Sequence, residues 1–271
     1  MMVKKYTTLL VSLLLFATAA SAKAKLPKEQ MYSMYNQANQ NFRQANSTAD
    51  TEQAAKRYEK AILGFERIIE EGQVKNSRLY YNLANAYFLH DQLGKAILNY
   101  RRAEKLYSAD ENIKKNLAFA RSKRIDKIAV KTEKRVLQTL FFWHYDFSIK
   151  TKFLLMCVFF GIVCTCIAGM IWFGRAGSLM VVMIICSILT ICFLTSVIVE
   201  SKNQSSSICG VITAKEVIAR QGDGQNYPPS FKEPLHEGTE FDLLENRPGW
   251  FHIKLSDDSD GWIPGGSADL I

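Results

Sequence analysis

The architecture of this chain is decided by residues 153–199, which read FLLMCVFFGIVCTCIAGMIWF over 153–173, GRAG over 174–177 and SLMVVMIICSILTICFLTSVIV over 178–199. Arg175 is the one charged residue in this stretch. Each apolar run is long enough, as a helix, to cross about 30 Å of hydrocarbon. Because only four residues join the runs, we predict a two-helix transmembrane hairpin, 153–173 and 178–199, with both outer ends on one side of the membrane.

Small residues on the first run indicate where its helix contacts the second. Glycine, alanine and cysteine let two helices approach closely inside a bilayer, so we expect the contact at Gly161, Cys164, Ala168 and Gly169. Five of the six cysteines lie inside the apolar runs, and only Cys209 lies outside them. With no second thiol in the soluble parts, an intramolecular disulfide there is not expected.

The charge of the chain is divided between two soluble parts. Residues 23–135 contain 23 Lys/Arg and 13 Asp/Glu, a net charge of +10, whereas residues 200–271 contain 6 and 12, a net charge of −6. The overall net charge of +8 is a sum over unlike segments. It therefore gives no ground for nucleic acid as a partner, and no RNA-binding, zinc-finger or basic-zipper motif is present. The acidic part could dock onto basic partners or onto the basic part of the same chain.

The N-terminus has the pattern of a secretory signal peptide. Two lysines precede an apolar run over residues 9–20, and Ala20-Ser21-Ala22 supplies the small residues that signal peptidase requires. We predict a signal peptide over 1–22, with an uncleaved signal anchor as the alternative. Either one places both soluble parts in the periplasm and the hairpin in the inner (cytoplasmic) membrane. Basic residues before the first span oppose this orientation under the positive-inside rule, and we give the export signal more weight.

Residues 131–152 form a basic and aromatic juxtamembrane segment before the first span. Its aromatic cluster suits the headgroup region, where such rings have one wet and one apolar end: Phe141, Phe142, Trp143, Tyr145 and Phe147. The basic residues over 121–135 are expected to lie over anionic lipid. A solvated helix end is the alternative for these charges.

Residues 77–110 have the pattern of two packed helices. The first helix carries apolar residues at i, i+3, i+4 and i+7: Tyr80, Leu83, Ala84 and Tyr87. The second, after a turn over 91–94, repeats alanine and tyrosine at i, i+4 and i+7: Ala96, Tyr100 and Ala103. This order resembles the tetratricopeptide repeat, whose period is 34 residues. Ser108 stands where that family usually has Pro, which is a mild departure.

The same pattern recurs on both sides of this unit. Residues 82–87 and 116–121 are identical at four of six positions, so a third helix starting near Asp110 is expected to cap the stack. Upstream, a further unit carries about ten extra residues, 45–54, in its turn, and its apolar positions are Tyr35, Ala38, Phe42, Ala61, Phe65 and Ile68. We therefore predict an all-α tetratricopeptide-repeat solenoid over residues 23–130.

Tetratricopeptide arrays bind extended peptides or partner helices on the concave face formed by the first helix of each unit. By this resemblance, the concave face contains Arg78, Tyr81, Asn82, Asn85, Phe88 and Asn116. Asparagine side chains there can hydrogen-bond to the main chain of a ligand, and Arg78 can meet a carboxylate. The alternative is that these are solvated helix positions.

Residues 211–271 alternate apolar and polar side chains between Gly- and Pro-containing turns. Strands are expected over 211–214, 240–244, 250–255 and 261–264. Gly238, Gly249-Trp250 and Gly261-Trp262-Ile263 resemble the pattern of the bacterial SH3-like domain. We therefore predict a small all-β SH3-like barrel over 211–271, after a linker over 200–210.

The resemblance to SH3-like domains also indicates a candidate ligand surface, formed by Arg220, Tyr227 and Trp250. Arg220 and Gly222 stand where that family usually has an Arg-x-Gly-Pro loop, but the following Pro is missing here. Trp250 and Trp262 could belong either to a groove or to the core of the barrel. We favour the core, because large aromatic side chains are mostly buried.

The sequence contains no pattern of catalytic residues. Its four histidines lie in four different segments, with no H-E-x-x-H, G-x-S-x-G, P-loop or dinucleotide-binding motif: His90, His144, His236 and His252. Cys209 has no nearby histidine in the sequence, as a cysteine hydrolase would need. We predict a non-enzymatic protein with no catalytic residue, no metal site and no cofactor.

The order of parts, from signal and helical array to hairpin and SH3-like module, resembles the BatE-like proteins of the Bacteroides aerotolerance (Bat) operon family. The resemblance covers essentially the whole mature chain, with the hairpin matched by arrangement rather than by identities. It implies a multi-domain, membrane-anchored scaffold that binds other Bat-family membrane proteins, including von Willebrand-type proteins, in stress or aerotolerance. The alternative is a cell-envelope protein whose SH3-like module binds peptidoglycan.

Overall fold

A computed structural model describes residues 26–128, 141–145, 147, 149–174, 177–206 and 208–271. The predicted signal peptide over 1–22 and the basic stretch over 131–140 lie outside the described residues. The chain combines helices, two of them long and apolar, with a small antiparallel β-sheet domain. It divides between His90 and Asp91 into two compact units, which are described separately.

The first unit consists of α1 (Lys28–Ser47), α2 (Thr51–Glu70) and α3 (Ser77–Leu89). The side chains that precede α2 and α3 cap them: Asp50 accepts from two amides at the start of α2, and Asn76 does the same for α3. The prediction of a ten-residue insertion in the first turn is wrong. Because α1 continues to Ser47 and α2 begins at Thr51, the turn contains only residues 48–50.

The core of the first unit follows the predicted periodicity. Six of the predicted apolar positions on α2 and α3 are at most 4% exposed: Ala61, Phe65, Ile68, Leu83, Ala84 and Tyr87. On α1, Ala38 is buried, and the ring of Tyr35 lies 6.0 Å from that of Phe65. A Cβ atom built on Gly64 would lie 3.0 Å from the Cβ of Ala38. Glycine at this position therefore lets α1 and α2 approach closely.

The second unit begins with α4 (Leu93–Leu106) and α5 (Glu111–Ser122), which pack against each other. Asp110 caps α5 by accepting from the amide of Asn112, as expected for a third helix starting near this position. The apolar face of each helix is buried, with members Ala96, Tyr100, Ala103, Ile113, Leu117 and Ala120.

A short helix and two long ones follow, α6 (Phe142–Tyr145), α7 (Ile149–Phe173) and α8 (Gly177–Ser206). Within the described residues, α7 and α8 are long and apolar enough to cross a bilayer. The helix α7 begins four residues before the predicted span. The polar residues that follow the apolar run continue α8, so the predicted linker over 200–210 is helical as far as Ser206.

The contact between α7 and α8 lies on a different face of α7 from the one expected. A Cβ built on Gly161 would meet no atom within 4 Å among the described residues, and Cys164 and Ala168 are exposed. Of the four predicted residues, Gly169 lies near α8, since a Cβ built on it would be 3.7 Å from Cδ1 of Leu179. The buried face instead carries the stacked pair of Phe159 and Phe193, together with the small residues Cys166, Cys186 and Ser196. The contact therefore combines aromatic stacking with small residues that are mostly different from the predicted ones.

The β-sheet domain contains β1 (Cys209–Ile212), β2 (Glu216–Val217), β3 (Leu235–His236), β4 (Glu240–Arg247), β5 (Trp250–Lys254), β6 (Asp260–Pro264) and β7 (Ala268–Leu270). Five strands form an antiparallel sheet in the order β6-β5-β4-β1-β7, and β2 pairs with β3. The sheet begins two residues earlier than predicted. The strands β2, β3 and β7 were not predicted because two or three residues are too few to establish an alternating pattern.

The core of this domain is formed by the inward residues of several strands. Its centre is the fully buried set Ile212, Ile253 and Ile263, surrounded by Phe241, Leu255 and Ala268. The predicted turns at Gly238 and Gly249 have φ values of 87° and 81°. Glycine adopts this left-handed region without a steric penalty, so these residues fix where β4 begins and where it turns into β5.

Candidate interaction surfaces

Five of the six residues predicted to bind a peptide lie along α3. Arg78 is exposed, whereas Tyr81, Asn82, Asn85 and Phe88 are half-buried. The sixth residue, Asn116, is half-buried on α5 in the second unit.

Asn82 already has partners within its own unit. Its Nδ2 donates to the hydroxyl of Tyr35 at 3.1 Å and to Oδ1 of Asn39 at 3.3 Å. The amide of Asn39 in turn donates to the backbone oxygen of Tyr35 at 3.0 Å. Asn82 therefore joins α3 to α1, and a peptide ligand would have to use the remaining hydrogen-bonding capacity of its side chain.

A second set of residues connects α4, α5 and the turn after α5 with the β-sheet domain. We call this set the docking interface; its members are Arg101, Arg121, Arg124, Asp126, His236, Glu237, Thr239 and Glu240. At its centre, Glu240 accepts hydrogen bonds from Nε and Nη2 of Arg121, each 2.7 Å long. Arg124 donates to the same carboxylate at 3.3 Å, and Nε of Arg101 lies 3.1 Å from it. Three guanidinium groups thus surround one carboxylate.

The environment of Glu240 keeps it ionised at neutral pH. Burial alone would raise the pKa of this carboxyl, but the hydrogen bonds and charge of Arg121, with the charges of Arg101 and Arg124, lower the pKa below its ordinary value of 4.5. The side chain of Glu240 is 21% exposed, and that of Arg121 is 35% exposed. Charges removed this far from water are stabilised mainly by each other, so losing one partner is costly.

Asp126 forms the second polar contact of the docking interface. Its carboxylate accepts from the backbone amide of His236 at 2.7 Å and from the hydroxyl of Thr239 at 2.6 Å, and it lies 2.8 Å from Nδ1 of His236. Burial opposes ionisation of Asp126, but these hydrogen bonds lower its pKa below the ordinary 3.8. The segment after α5 is therefore tied to the start of β4.

The third contact lies at the N-terminus of α4. Gln92 precedes the helix but makes no side-chain capping hydrogen bond, and Glu237 of the β-sheet domain accepts from the amide of Gly94 at 3.0 Å instead. A carboxylate at a helix N-terminus is favoured by the helix dipole. A Cβ on Gly94 would lie 2.5 Å from the backbone oxygen of Ile212. Glycine is therefore needed where α4 meets β1.

Basic residues on α4 also hold the last strand. Arg102 donates to the backbone oxygen of Leu270 at 2.8 Å, and Lys105 donates to that of Ile271 at 3.0 Å. The two basic side chains of α4 therefore bind the last residue of β7 and the residue that follows it, at the edge of the sheet. The interface thus extends along one side of α4.

The opposite net charges of the two soluble parts were the only sequence signal for these contacts. They indicated that the acidic part could dock onto the basic part of the same chain. They did not identify Glu240, which is one of 12 acidic residues over 200–271. Pairing depends on which side chains the fold brings together, and net charge carries no such information.

The candidate surface on the β-sheet domain coincides in part with an open groove. The groove has a volume of about 420 Å³, and its lining includes Arg220 and Trp250. Tyr227 is exposed, and its backbone oxygen accepts from Nη1 of Arg220 at 2.8 Å. The three predicted residues are therefore brought into one region. Trp250 is half-buried, so the expectation that it belongs to the core is wrong.

Trp262 is buried without belonging to the core. Only 7% of its surface is exposed, yet it lies on the opposite face of β6 from the core residue Ile263, because neighbouring strand residues alternate. Its ring stacks on His252 at 4.6 Å and 3°, and the guanidinium of Arg247 lies 4.6 Å from its centre. Cation–π and stacking contacts cover this tryptophan on the outer face of the sheet.

A polar cluster lies where the two long helices begin and end. The side chain of Lys152 is fully buried and donates to Glu200 and to the backbone oxygen of His144. Nδ1 of His144 lies 2.6 Å from the hydroxyl of Ser196. Charged groups inside an apolar environment need such partners. The cluster holds α6 against the ends of α7 and α8.

No site for a bound metal is evident in the part of the chain that the structure describes, where no three His, Cys, Asp or Glu side chains are grouped suitably. All six cysteines are free thiols. Burial, followed by the hydrogen bond and charge of Asp242, raises the pKa of the Cys209 thiol, which lowers its thiolate fraction and its reactivity.

No protein-family model matches this chain, and no curated protein matches it at a significant level.

Proposed function

We propose that this chain is a membrane-anchored, non-enzymatic scaffold that binds other proteins through its helical array and its β-sheet domain. The observation that carries the proposal is the docking interface, in which Arg101, Arg121 and Arg124 surround Glu240. Bidentate arginine–carboxylate pairs fix orientation as well as distance. The helices α4 and α5 and the β-sheet domain therefore offer their remaining surfaces to partners from one fixed platform.

The docking interface also supports the proposed membrane arrangement. Arg121 precedes both long apolar helices in the chain, and Glu240 follows them. A direct contact between residues on the two sides of the hairpin requires both soluble parts to lie on the same side of any membrane that the hairpin spans. We propose that this side is the periplasm and that the membrane is the inner one, because the N-terminus has the pattern of an export signal.

The modules are proposed to be a tetratricopeptide-repeat solenoid and an SH3-like barrel. Burial of Leu83, Ala84, Ala96 and Ala103 supports the first, since these are the small and large positions of the repeat. The antiparallel sheet containing the Gly-Trp-Ile strand β6 supports the second. With the resemblance to the Bat operon family, the proposed partners are other Bat-family membrane proteins that act in stress or aerotolerance.

Photo-cross-linking in native membranes tests the scaffold. Benzoylphenylalanine replaces Tyr81 on the candidate face of α3, and the matched control carries it at the exposed Lys60 of α2. The scaffold predicts covalent protein partners, identified by mass spectrometry, at position 81 and not at position 60. Self-contacts alone, or the same products at both positions, would overturn the proposal.

A reporter fusion tests the orientation separately. Alkaline phosphatase fused after residue 130 is expected to be active, because this enzyme folds only outside the reducing cytoplasm. A cytoplasmic reporter at the same position is expected to be inactive. The opposite pair of results would place the helical array in the cytoplasm and contradict the proposed arrangement.

The alternative function, peptidoglycan binding, is favoured by the open groove beside Arg220 and Trp250. A groove of about 420 Å³ is within the usual range of ligand sites. Solubilised full-length protein would then co-sediment with purified sacculi, and Trp250→Ala would abolish this while Tyr32→Ala would not. Under the scaffold proposal, neither the wild type nor either variant co-sediments.

A further inference from the structure

The basic residues around α5 are divided between two sides. The arginines, Arg121 and Arg124, point toward the β-sheet domain and share Glu240. The lysines, Lys114, Lys115 and Lys123, are exposed. Arginine suits fixed pairing with carboxylates, whereas lysine is a mobile, strongly hydrated charge on a flexible stem. The docking interface therefore leaves the lysines of α5 available to an outside partner.

Apolar side chains lie among these lysines. Lys115 and Phe119 of α5, and Lys123 directly after its end, are spaced at i, i+4 and i+8, so they form one stripe that continues along the helix. Phe119 is 54% exposed, with Nζ of Lys123 5.2 Å from its ring, and Ile125 beyond the helix is 68% exposed. We call Lys114, Lys115, Phe119, Lys123 and Ile125 the outer face of α5.

The acidic residues near the outer face do not neutralise it. Glu111 lies 3.8 Å from Lys115, and both side chains are largely exposed, at 82% and 74%, so this pair is screened by water. Asp110 is engaged in capping α5. The carboxylate of Asp126 is turned toward His236 and Thr239. The outer face therefore combines a positive field with exposed apolar groups.

We propose that the outer face of α5 rests on the anionic surface of the membrane in which the hairpin is anchored. Anionic headgroups attract lysines within a Debye length. Phenylalanine and isoleucine can enter the boundary between headgroups and acyl chains, while lysine stems reach back to the phosphates. We commit to lipid rather than an acidic protein because the same chain carries two helices long and apolar enough to cross a bilayer. The inference rests on hairpin insertion, which is part of the proposed function.

Lipid photo-cross-linking of the full-length protein tests this contact. Benzoylphenylalanine replaces Phe119, and the protein is reconstituted into nanodiscs of phosphatidylglycerol mixed with phosphatidylcholine, or of phosphatidylcholine alone. Insertion is checked independently by protease protection of the two spans. We expect lipid adducts in the anionic nanodiscs, at a yield at least about tenfold above that in neutral ones. About 0.5 M salt should reduce the yield, because the charges are then screened within a few ångströms.

Charge reversal supplies the matched control. The triple variant Lys114→Glu, Lys115→Glu and Lys123→Glu is expected to lose the lipid adduct. The variant Lys56→Glu, Lys60→Glu and Lys75→Glu changes the net charge equally at exposed positions of the first unit and is expected to keep it. An inserted protein with no adduct, with equal adducts in both lipids, or with adducts to protein alone overturns the inference. Failure of protease protection would instead contradict the proposed membrane anchor.

Discussion

The guanidinium of Arg121 donates two hydrogen bonds to the carboxylate of Glu240, from Nε and from Nη2, each 2.7 Å long. The two residues are separated by 119 positions that include both apolar helices. This bidentate pair closes a long loop of chain, and closing it costs conformational entropy. Arg101 and Arg124 on the same carboxylate add to the interactions that offset this cost.

Replacing Glu240 with Gln should release the β-sheet domain from α4 and α5. The substitution keeps the shape of the side chain but leaves three guanidinium groups facing a neutral amide. We expect a loss of about 3 kcal/mol in the stability of the docked state. Faster hydrogen exchange over residues 93–106 and 209–212, measured by mass spectrometry on the full chain, checks it.

The control for this change is Glu245→Gln, which removes an exposed carboxylate of the same strand. Glu245 pairs with Arg247 on the domain surface, where both side chains are about half exposed, so exchange at the docking interface should stay unchanged. Equal effects of the two substitutions would show that Glu240 acts only through general charge. A charge swap, Glu240→Arg with Arg121→Glu, should restore part of the protection.

Acid should weaken the docking interface. The pKa values of Glu240 and Asp126 are lowered from 4.5 and 3.8 in the docked state, so the released state binds protons more readily. The stabilisation they contribute is complete above about pH 4.5 and is lost as the pH falls through the lowered values. Hydrogen exchange over residues 93–106, corrected for intrinsic rates, should therefore rise below pH 4.5. Protection that is constant down to pH 3 would contradict this.

Adding one methyl group at the N-terminus of α4 should disturb the contact with β1. In Gly94→Ala the new Cβ would lie 2.5 Å from the backbone oxygen of Ile212, which outweighs the usual gain in helix propensity. We expect roughly 2 kcal/mol of destabilisation, measured by urea denaturation of the full chain. Gly266→Ala is the control, since its Cβ meets no described atom within 4 Å, and a change there larger than about 0.5 kcal/mol is not expected.

The two tryptophans of the β-sheet domain should differ in their effect on stability. Trp262 is 7% exposed and stacks on His252, so Trp262→Ala should cost about 3 kcal/mol. Trp250 is half-buried at the groove, and its replacement should cost about 1 kcal/mol. Thermal unfolding followed by near-ultraviolet circular dichroism measures both. The reverse order would mean that Trp250 supports the core.

The buried pair at the ends of the long helices should be strongly coupled. Lys152→Met leaves Glu200 without its cationic partner in an apolar setting, which should destabilise the hairpin by about 3 kcal/mol. The double variant with Glu200→Gln should cost less than the sum of the single changes. Unfolding of the reconstituted protein by steric trapping measures these values. The exposed neighbour Lys150, changed to Met, should have little effect.

Several elements could be predicted from the sequence because their signals are local. The spacing of Leu83, Ala84 and Tyr87 predicts a helix face, and all three are buried. The two apolar runs predict two long helices. Gly238 and Gly249 mark turns because only glycine adopts their φ values easily. Each of these signals acts within a few residues, so no knowledge of the rest of the fold is needed.

Other features could not be predicted because they depend on distant neighbours. Gly161 is a residue type that favours helix contacts in membranes, but it lies away from the contact between α7 and α8. The stacked pair of Phe159 and Phe193 forms part of that contact instead. Trp250 was expected in the core and lies at a groove. The type of a residue indicates which contacts it can make. The neighbour that it contacts is determined by how distant helices and strands pack.

The sequence by itself determined the order of the parts: a helical array, two apolar runs separated by four residues, and a β-sheet domain of opposite charge. Periodicity and hydropathy are properties of residues close together in the sequence, and they are sufficient to predict this order of helices and strands. Only the tertiary structure decided that Glu240 meets Arg121, and that the lysines of α5 remain outside this contact. Electrostatic and packing energies depend on distances across more than 100 positions, and those distances exist only once the chain has folded.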